Sequence, residues 1–504
     1  MVEYSVFQIQ HLYGGMAENP LPPNFLSTYT KLPESLFRNA EPKPISSPKP
    51  ILLNDALANS IGLSHQWLHS AEALQALSGN APLPDLPRIA LAYAGHQFGH
   101  FVPSLGDGRA VLLGEIEGPE GQLHDLHLKG SGRTIFSRGG DGRATLSAML
   151  REYIISEAMA ALGIPTTRSL AVIETGEEVP REKMERGAVL TRVAKSHIRV
   201  GTFQYLAARG EEAAMQALVD HELARNFVGA PIGPERFIWF LRQVITRQAS
   251  LIAKWMCVGF IHGVMNTDNM QVAGETIDYG PCAFMDAFDP QKTFSSIDQN
   301  GRYAWDKQPV IALWNLTRLA EAMLPLFAAD TGVAITLAEA ELKNFMPQFE
   351  NAFEQGMAAK LGFAEVREGD AEFIALTLQN MANARADFTL FFSTLTEVAE
   401  TKKNAKIIPF FGDEKAAAHW FEKWQHRLLN ETNSLALMLG ANPIFIPRNH
   451  RVEQALVAAD SNDLQPLHKL LKVITAPFAQ HIGEAELALP PLENEEVTQT
   501  FCGT

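Results

Sequence analysis

The spacing of apolar residues changes along the 504-residue chain, and each change marks an element. From Leu123 to Lys129, strict alternation puts His124, Leu126 and Leu128 on one face and Asp125, His127 and Lys129 on the other, which predicts a strand. Ala110 to Ile116 predicts a partner strand, with Gly118-Pro119-Glu120-Gly121 as the turn between them. Leu146, Met149, Leu150, Tyr153 and Leu162 keep helical spacing, and Gly163 with Pro165 ends that helix. Two more strands are predicted, Ser169 to Glu174 and Gly187 to Ala194, separated by a charged loop through Glu185. From about 203 onward the spacing is mostly helical. Ile238 to His262 is densely apolar and predicts a buried central helix, and further helices are predicted near 310–327, 335–358, 370–400 and 414–438. After His262 the pattern reads as a polar loop, a short strand, a tight turn at Gly274, a second short strand and a stop at Asp278-Tyr279-Gly280. Residues 288–309 keep neither period and predict an irregular connection.

Residues 1 to about 90 are rich in proline and short apolar runs. Glu41 through Pro48 and Pro50 to Leu53 is expected to be extended, because each proline biases its predecessor away from helix, and a short helix from Asp55 to Ile61 follows. Such a segment either wraps a neighbouring domain or forms an arm. The organisation expected is α+β and two-lobed: an extension over 1–90 packing on the lobes, a small sheet-bearing lobe with one regulatory-type helix over 91–200, a large helical lobe over 201–440, and a helical extension with a cysteine-bearing tail over 441–504. Asn442-Pro443 to Asn449 interrupts the helical pattern, and no internal repeat is present.

A hydrophobic content of 46% excludes wholesale disorder. The formal charge is 42 − 57 = −15 and no run of Lys and Arg stands out, which argues against a nucleic-acid partner. Cys257, Cys282 and Cys502 are too few for a disulfide framework and lack zinc spacing. Met1-Val2-Glu3-Tyr4 opens no apolar signal region, and no window is expected to span a membrane, so a cytoplasmic protein without a membrane partner is expected.

Candidate chemistry gathers at the loop after the central helix. Asn269 and Asp278 sit at the ends of the expected hairpin and offer oxygen to one divalent cation. Set against the kinase pattern H-R-D-L-x-x-x-N, the run from His262 to Asn269 keeps the histidine and the asparagine, but Val264 stands where a kinase places its base. A carboxylate reappears at Asp268, which beside a metal is expected to stay ionised at neutral pH. Upstream, Gly106-x-Gly108-Arg109, a strand, a turn and a strand ending in Lys129 follow the order of a nucleotide-covering loop and its phosphate lysine. A second small-residue run, Gly130 to Thr134 and Ser137-Arg138-Gly139-Gly140-Asp141-Gly142-Arg143, reads as an anion cradle or an ordinary loop. Glu152 is either the partner of Lys129 or a solvated helix glutamate. Arg192 and Arg199 read as a polyphosphate clamp or as surface arginines. His96/His100 and His124/His127 read as packing histidines rather than metal ligands, and no Gly-x-Ser-x-Gly elbow supports a serine nucleophile.

Collected together, the His96-to-Arg109 run, Lys129-Gly130-Ser131-Gly132, Arg151-Glu152-Tyr153, Asp268-Asn269, Asp278-Tyr279-Gly280-Pro281, Asn442-Pro443 and the terminal cysteine resemble the selenoprotein O family over nearly the whole chain. The resemblance implies a protein-kinase-like fold with its nucleotide turned around, so that AMP rather than the terminal phosphoryl group passes to a Ser, Thr or Tyr hydroxyl of a protein substrate. It implies Asp268 as proton acceptor and Asn269 and Asp278 as ligands of Mg²⁺ or Mn²⁺. It also implies that Gly106, Gly108, Arg109, Lys129, Asp141, Gly142, Arg192 and Arg199 hold ATP, with UTP a further co-substrate, and that Glu152 orients Lys129. Cys502 falls where animal members carry selenocysteine, and an oxidised Cys282–Cys502 bridge stands beside two free thiols as a reading of these cysteines. Two other readings stay open: transfer of the γ-phosphoryl group with Asp268 as substitute base, and a catalytically silent nucleotide-binding scaffold.

Overall fold

In the computed structural model, which describes residues 23–429 and 431–501, one antiparallel sheet forms the N-terminal part. Its strands are β1 (Phe25–Leu26), β2 (Phe37–Asn39), β3 (Lys49–Leu53), β4 (Ile89–Leu91), β7 (Ala110–Glu117), β8 (Leu123–Lys129), β9 (Arg168–Pro180) and β10 (Met184–Ala194). A separate small hairpin pairs β5 (Gly95–Gln97) with β6 (His100–Val102). The order in the large sheet is β2-β4-β7-β8-β10-β9-β3, with β1 added to β7. Strands drawn from residues 25–53 thus lie in the same sheet as those from residues 89–194. Of the proline-rich stretch expected to be extended, Lys49 to Leu53 forms strand β3 after a bend at Ser46-Ser47, and β3 with Pro50 takes the outer edge of the sheet, where proline is tolerated.

Alternation along β8 and β10 explains how both faces of the sheet are covered. Leu126, Leu128, Val189 and Val193 join a small core under the short helices α1 (Asp55–Ser60), α2 (His65–Leu68) and α3 (Ala71–Leu77). The opposite face packs against α4 (Leu146–Ala161), whose first turn is capped by the Thr145 hydroxyl accepting from the Ala148 N–H. The hairpin β9–β10 runs further than the pattern indicates, because its charged tip continues the ladder from Val179↔Glu185 to Pro180↔Met184.

Helices fill the rest: α5 (Val200–Ala207), α6 (Glu212–Asn226), α7 (Glu235–Cys257), α8 (Gln308–Phe327), α9 (Thr331–Leu342) and α10 (Phe345–Leu361), followed by α11 (Asp370–Ala384), α12 (Phe388–Thr401), α13 (Glu414–Leu428), α14 (Ser434–Ala441), α15 (Asn449–Asp460) and α16 (Gln465–Ile474). Three long predicted helices are each two. The breaks fall at Lys343-Asn344, at Arg385 to Asp387, where Arg385 is left-handed and the Asp387 side chain caps α12, and between Leu428 and Ser434. The central helix α7 ends at Cys257 rather than His262, because Gly259 adopts φ +69° and the chain then extends. The membrane expectation also needs correction. Trp305–Phe327 is long and apolar enough to cross a bilayer, but half of that window is buried, and within it the Asn315 amide donates to the Met265 carbonyl in the interior.

His221 on α6 is half-buried against the edge of Tyr29 and accepts from Arg225, and burial with the neighbouring guanidinium pushes its imidazole down to about 4. The folded chain therefore keeps His221 neutral while the unfolded chain takes up the proton near pH 6.5, so the histidine costs no stability above pH 6.5 and progressively more as pH falls toward 4. Thermal melts of the parent and of His221→Asn are expected to diverge over that window, the parent losing up to about 1.4 kcal/mol per pH unit relative to the variant. Parallel pH profiles would contradict this.

Candidate active site

Strands β8 and β10, helix α4, the segment before α5 and the loop carrying Asp278 bring the charged residues together. β8 ends at Lys129, opposite Leu190 of β10 and Ala110 of β7, so the lysine points to the α4 side with Asp125 and His127. On α4, Glu152 is buried and accepts from Lys129 Nζ at 2.6 Å. Arg192 near the end of β10 is buried, and its guanidinium bonds both Glu152 and Asp278. Arg199, just before α5, donates to Asp278 Oδ2 at 3.1 Å and to the Asp268 backbone carbonyl at 2.7 Å, with its guanidinium 4.5 Å over the Tyr93 ring. Lys129 reaches Asp278 Oδ1 at 3.2 Å. Three buried cations thus share two carboxylates.

The electrostatics follow from that count. Burial alone would raise the Asp278 carboxyl, but Arg192, Lys129 and Arg199 hold it well below the usual carboxylate range. Burial lowers Lys129, helped by the like charge of Arg192, while Glu152 and Asp278 oppose the shift. Asp278 also sits at φ +64°, a left-handed conformation uncommon outside glycine and typical of functional positions.

The loop from 262 to 280 differs from the predicted hairpin. Gly274 does make a tight turn at φ +81°, but the flanking residues pair outward, Gln271 with Arg199 and Thr276 with Thr166. The local strand pair is β11 (Phe260–Ile261) with β12 (Ala283–Phe284), which closes the whole loop at its base. His262 is buried, stacks on Trp255 and lies with Nε2 2.8 Å from the Ile277 carbonyl, one residue before Asp278. The single turn Thr267–Asn269 carries the other two polar groups. Asn269 spends its Nδ2 on the Val264 carbonyl at 3.0 Å, which leaves its amide oxygen for another partner. Asp268 is buried, its Oδ1 has no hydrogen-bond partner, and burial pushes its carboxyl up to about 6 against the opposing charge of Arg199.

Asp268, Asn269 and Asp278 line one cavity of about 850 Å³ together with Gly106, Gly108, Arg109, Lys129, Asp141, Gly142, Glu152, Arg192 and Arg199. The twelve residues that the resemblance places in the site therefore line a single space, large enough for a nucleoside triphosphate, whereas Gly130 to Thr134 do not line it. The reason for two of the glycines is packing. A Cβ at Gly106 would lie 2.2 Å from the Phe136 ring, and one at Gly142, which is at φ +71°, would lie 2.2 Å from Gly132. Asp141 is tied to Arg181 at 2.7 Å on the rim. The histidine pairs do not assemble as metal ligands: His96 Nδ1 faces the Gln204 amide, and His127 lies 2.9 Å from Asp107.

The family model described as protein adenylyltransferase SelO matches residues 21–475. The chain belongs to the SelO family. It is 52% identical over 487 residues to the protein nucleotidyltransferase YdiU of Rhodopseudomonas palustris strain BisB5, covering 95% of this chain and 99% of that protein. It is 51% identical over 486 residues to the protein of that name from Bradyrhizobium sp. strain BTAi1, at 95% and 99% coverage, and 50% identical over 488 residues to the one from Nitrobacter hamburgensis, at 96% and 97%.

Several residues that build the site in this SelO-family chain were given no role by sequence reasoning. The β5–β6 hairpin clasps the 266–268 turn, with the His96 N–H donating to Thr267 Oγ1 at 2.7 Å, the Phe98 N–H to Asn266 Oδ1 at 3.0 Å and the Gln97 amide reaching Asp268 Oδ2 at 3.4 Å. Arg151 on α4 fixes the chain beyond Asp278 by donating to the carbonyls of Gly280 and Cys282 at 3.1 and 2.8 Å. The tail returns to the cleft, where Thr500 Oγ1 donates to the Pro281 carbonyl at 2.5 Å and Phe501 joins the cavity wall. Density of Gly, His and Phe in 95–101 was the only signal for the hairpin. Cys282 is buried, and Cys502 lies outside the described residues.

Gly95 shows how tightly the hairpin is fitted. Its φ is not left-handed, yet a Cβ there would sit 2.4 Å from Asp268 Oδ1 and 2.8 Å from Leu105. Gly95→Ala is expected to displace the Asp268 carboxylate, lowering turnover about 10–100-fold while leaving nucleotide affinity within about twofold, as steady-state rates and calorimetry would show. Unchanged turnover would contradict this placement.

Proposed function

We propose that this chain transfers AMP from ATP to a Ser, Thr or Tyr hydroxyl of a protein, releasing pyrophosphate, within a protein-kinase-like pair of lobes over 91–200 and 201–440. The observation that carries the reading is the position of the Asp268 carboxylate. Asp268 lines the cavity and its Oδ1 is without a hydrogen-bond partner, whereas Val264, where a kinase keeps its base, is an alkyl group. Family membership and the names of the relatives support the same reaction.

The cleft has the donor set for a hard divalent cation. Its lining offers the amide oxygen of Asn269 and the carboxylates of Asp268 and Asp278, and it contains no imidazole or thiol among the described residues. Asn269 and Asp278 would hold Mg²⁺ or Mn²⁺, which when bound neutralises phosphate charge and polarises the phosphoryl oxygens. Without nucleotide, Lys129, Arg192 and Arg199 are occupied by Glu152 and Asp278. An incoming triphosphate brings more negative charge than Asp278 does, so its oxygens draw the same three cations and Asp278 is released from them. The cations then neutralise the leaving group as its charge grows, which is the main contribution protein side chains make in phosphoryl-type transfer.

In the transfer step the acceptor oxygen forms a bond to the α-phosphorus and the bond from that phosphorus to the bridging oxygen breaks. Pyrophosphate leaves with that electron pair, and the hydroxyl proton passes to Asp268. A carboxyl pushed up toward neutrality is a better proton acceptor than an ordinary aspartate while still ionised at pH 7. Phe98 and Ile297 also line the cavity, and Ile297 is exposed, which suits the approach of a protein chain. Product analysis tests the reading: pyrophosphate and AMP-modified protein are expected in equal amounts. ADP as the only nucleotide product would replace this reaction with γ-phosphoryl transfer.

A further inference from the structure

On the outer side of the small N-terminal core, three side chains from two short helices meet in solvent. Asp55 opens α1, His65 opens α2 and His69 follows the last residue of α2. Asp55 Oδ1 lies 2.7 Å from His65 Nδ1 and 2.9 Å from His69 Nε2, and the two imidazole centroids are 4.1 Å apart. One ligand atom from each residue lies within 4.8 Å of the other two, the one such group of His, Cys, Asp and Glu found among the described residues. None of the three lines the nucleotide cavity.

The backbone beneath them is fixed. Asn54 caps α1 by accepting from the Leu57 N–H at 3.0 Å, and Ser64 caps α2 by accepting from the Trp67 N–H at 3.1 Å. Leu57, Ile61, Leu63, Trp67 and Leu68 of this segment are buried, with Trp67 packed 5.3 Å from the Phe25 ring. The three polar side chains therefore project from an anchored platform while keeping freedom to turn.

Two imidazole nitrogens aimed at one carboxylate oxygen form the nitrogen-rich donor set of a borderline-soft metal, not of Mg²⁺. Bond lengths of about 2.0–2.2 Å around a tetrahedral Zn²⁺ place neighbouring ligand atoms about 3.3 Å apart. Reaching that from 2.7 and 2.9 Å requires the side chains to open by about half an ångström. With side-chain exposures of 73%, 41% and 49% for His65, His69 and Asp55, rotation achieves this without disturbing the core. We propose that Asp55, His65 and His69 bind a divalent transition-metal ion, zinc foremost, with water completing its shell, and that the ion staples α1 to α2. Each ring would coordinate through the nitrogen now directed at Asp55 with its proton held on the other ring nitrogen, and any proton displaced passes to solvent.

The test is calorimetric titration of the full-length protein with Zn²⁺ alone in Mg²⁺-free buffer, repeated with Co²⁺ so that its visible absorption reports nitrogen ligation. One equivalent is expected to bind in the parent and equally in Asp278→Ala, where the nucleotide cleft is disabled. Affinity is expected to fall at least about 100-fold in His65→Gln and in Asp55→Asn. Zn²⁺ is expected to raise the parent's melting temperature but not that of His65→Gln, and without metal the variant's melt and far-UV circular dichroism should match the parent's. Absence of binding, loss of it in Asp278→Ala, or full affinity in both His65→Gln and His69→Gln would overturn the site.

Discussion

Asp278→Ala is expected to reduce AMP transfer by about 10³-fold or more and, in the same protein, to lower the melting temperature measured without nucleotide. Both effects come from one geometry. Asp278 bonds Lys129, Arg192 and Arg199 at once, and its removal leaves three buried cations to the single carboxylate of Glu152. Breaking a buried charge cluster by deleting one partner typically costs about 3–5 kcal/mol, and the 23% exposure of the Asp278 side chain places the loss toward the lower end. ATP added without metal is expected to recover most of that stability, because its phosphate oxygens take the place of the missing carboxylate, yet transfer should not return. Asp278→Asn separates charge from shape: it keeps a hydrogen-bonding oxygen but is expected to share the catalytic defect. Full activity in either variant would remove Asp278 from the site.

Asp268→Ala carries the second large effect. Transfer is expected to fall about 10²–10⁴-fold, the range for loss of a positioned proton acceptor, while ATP affinity stays within about twofold because Asp268 makes none of the ion pairs that hold the cation cluster. Its contact with Arg199 runs through the backbone carbonyl, which the substitution preserves. Rate measurements at saturating ATP, combined with equilibrium binding, distinguish this from a folding or binding defect. An equal loss of affinity and rate would make Asp268 a nucleotide ligand instead.

The site was more legible than the path of the chain around it. Lys129, Glu152, Asp268, Asn269 and Asp278 could be read because each stands at the end of a strand, on a helix face or in a loop whose local pattern is strong. The predicted strand Leu123 to Lys129 and the helix from Leu146 survive almost residue for residue, since their burial periodicity is local. What failed depended on partners distant in sequence. Nothing in residues 270–277 reveals that they pair with Thr166 and Arg199 rather than with each other. The break between α11 and α12 is set by Asp387, which caps α12 and also pairs with Arg448, a buried arginine from the C-terminal region that binds Asp286 as well. The β5–β6 hairpin was missed for the same reason: its polar bonds go to residues about 170 positions away, Asn266, Thr267 and Asp268. Gly106, expected in a nucleotide-covering loop, lines the cavity, and the ring of Phe136 occupies the space a side chain there would need.

In the proposed reaction the bond broken is the one joining the α- and β-phosphates, and every role given to the cleft follows from that cleavage. It is tested most directly by incubating the protein and an acceptor with ATP labelled at either the α- or the γ-phosphate, with Asp268→Ala alongside. Label from the α position alone should appear on the acceptor, and Asp268→Ala should remove nearly all of it. Label from the γ position on the acceptor, or α-label undiminished in Asp268→Ala, would contradict it.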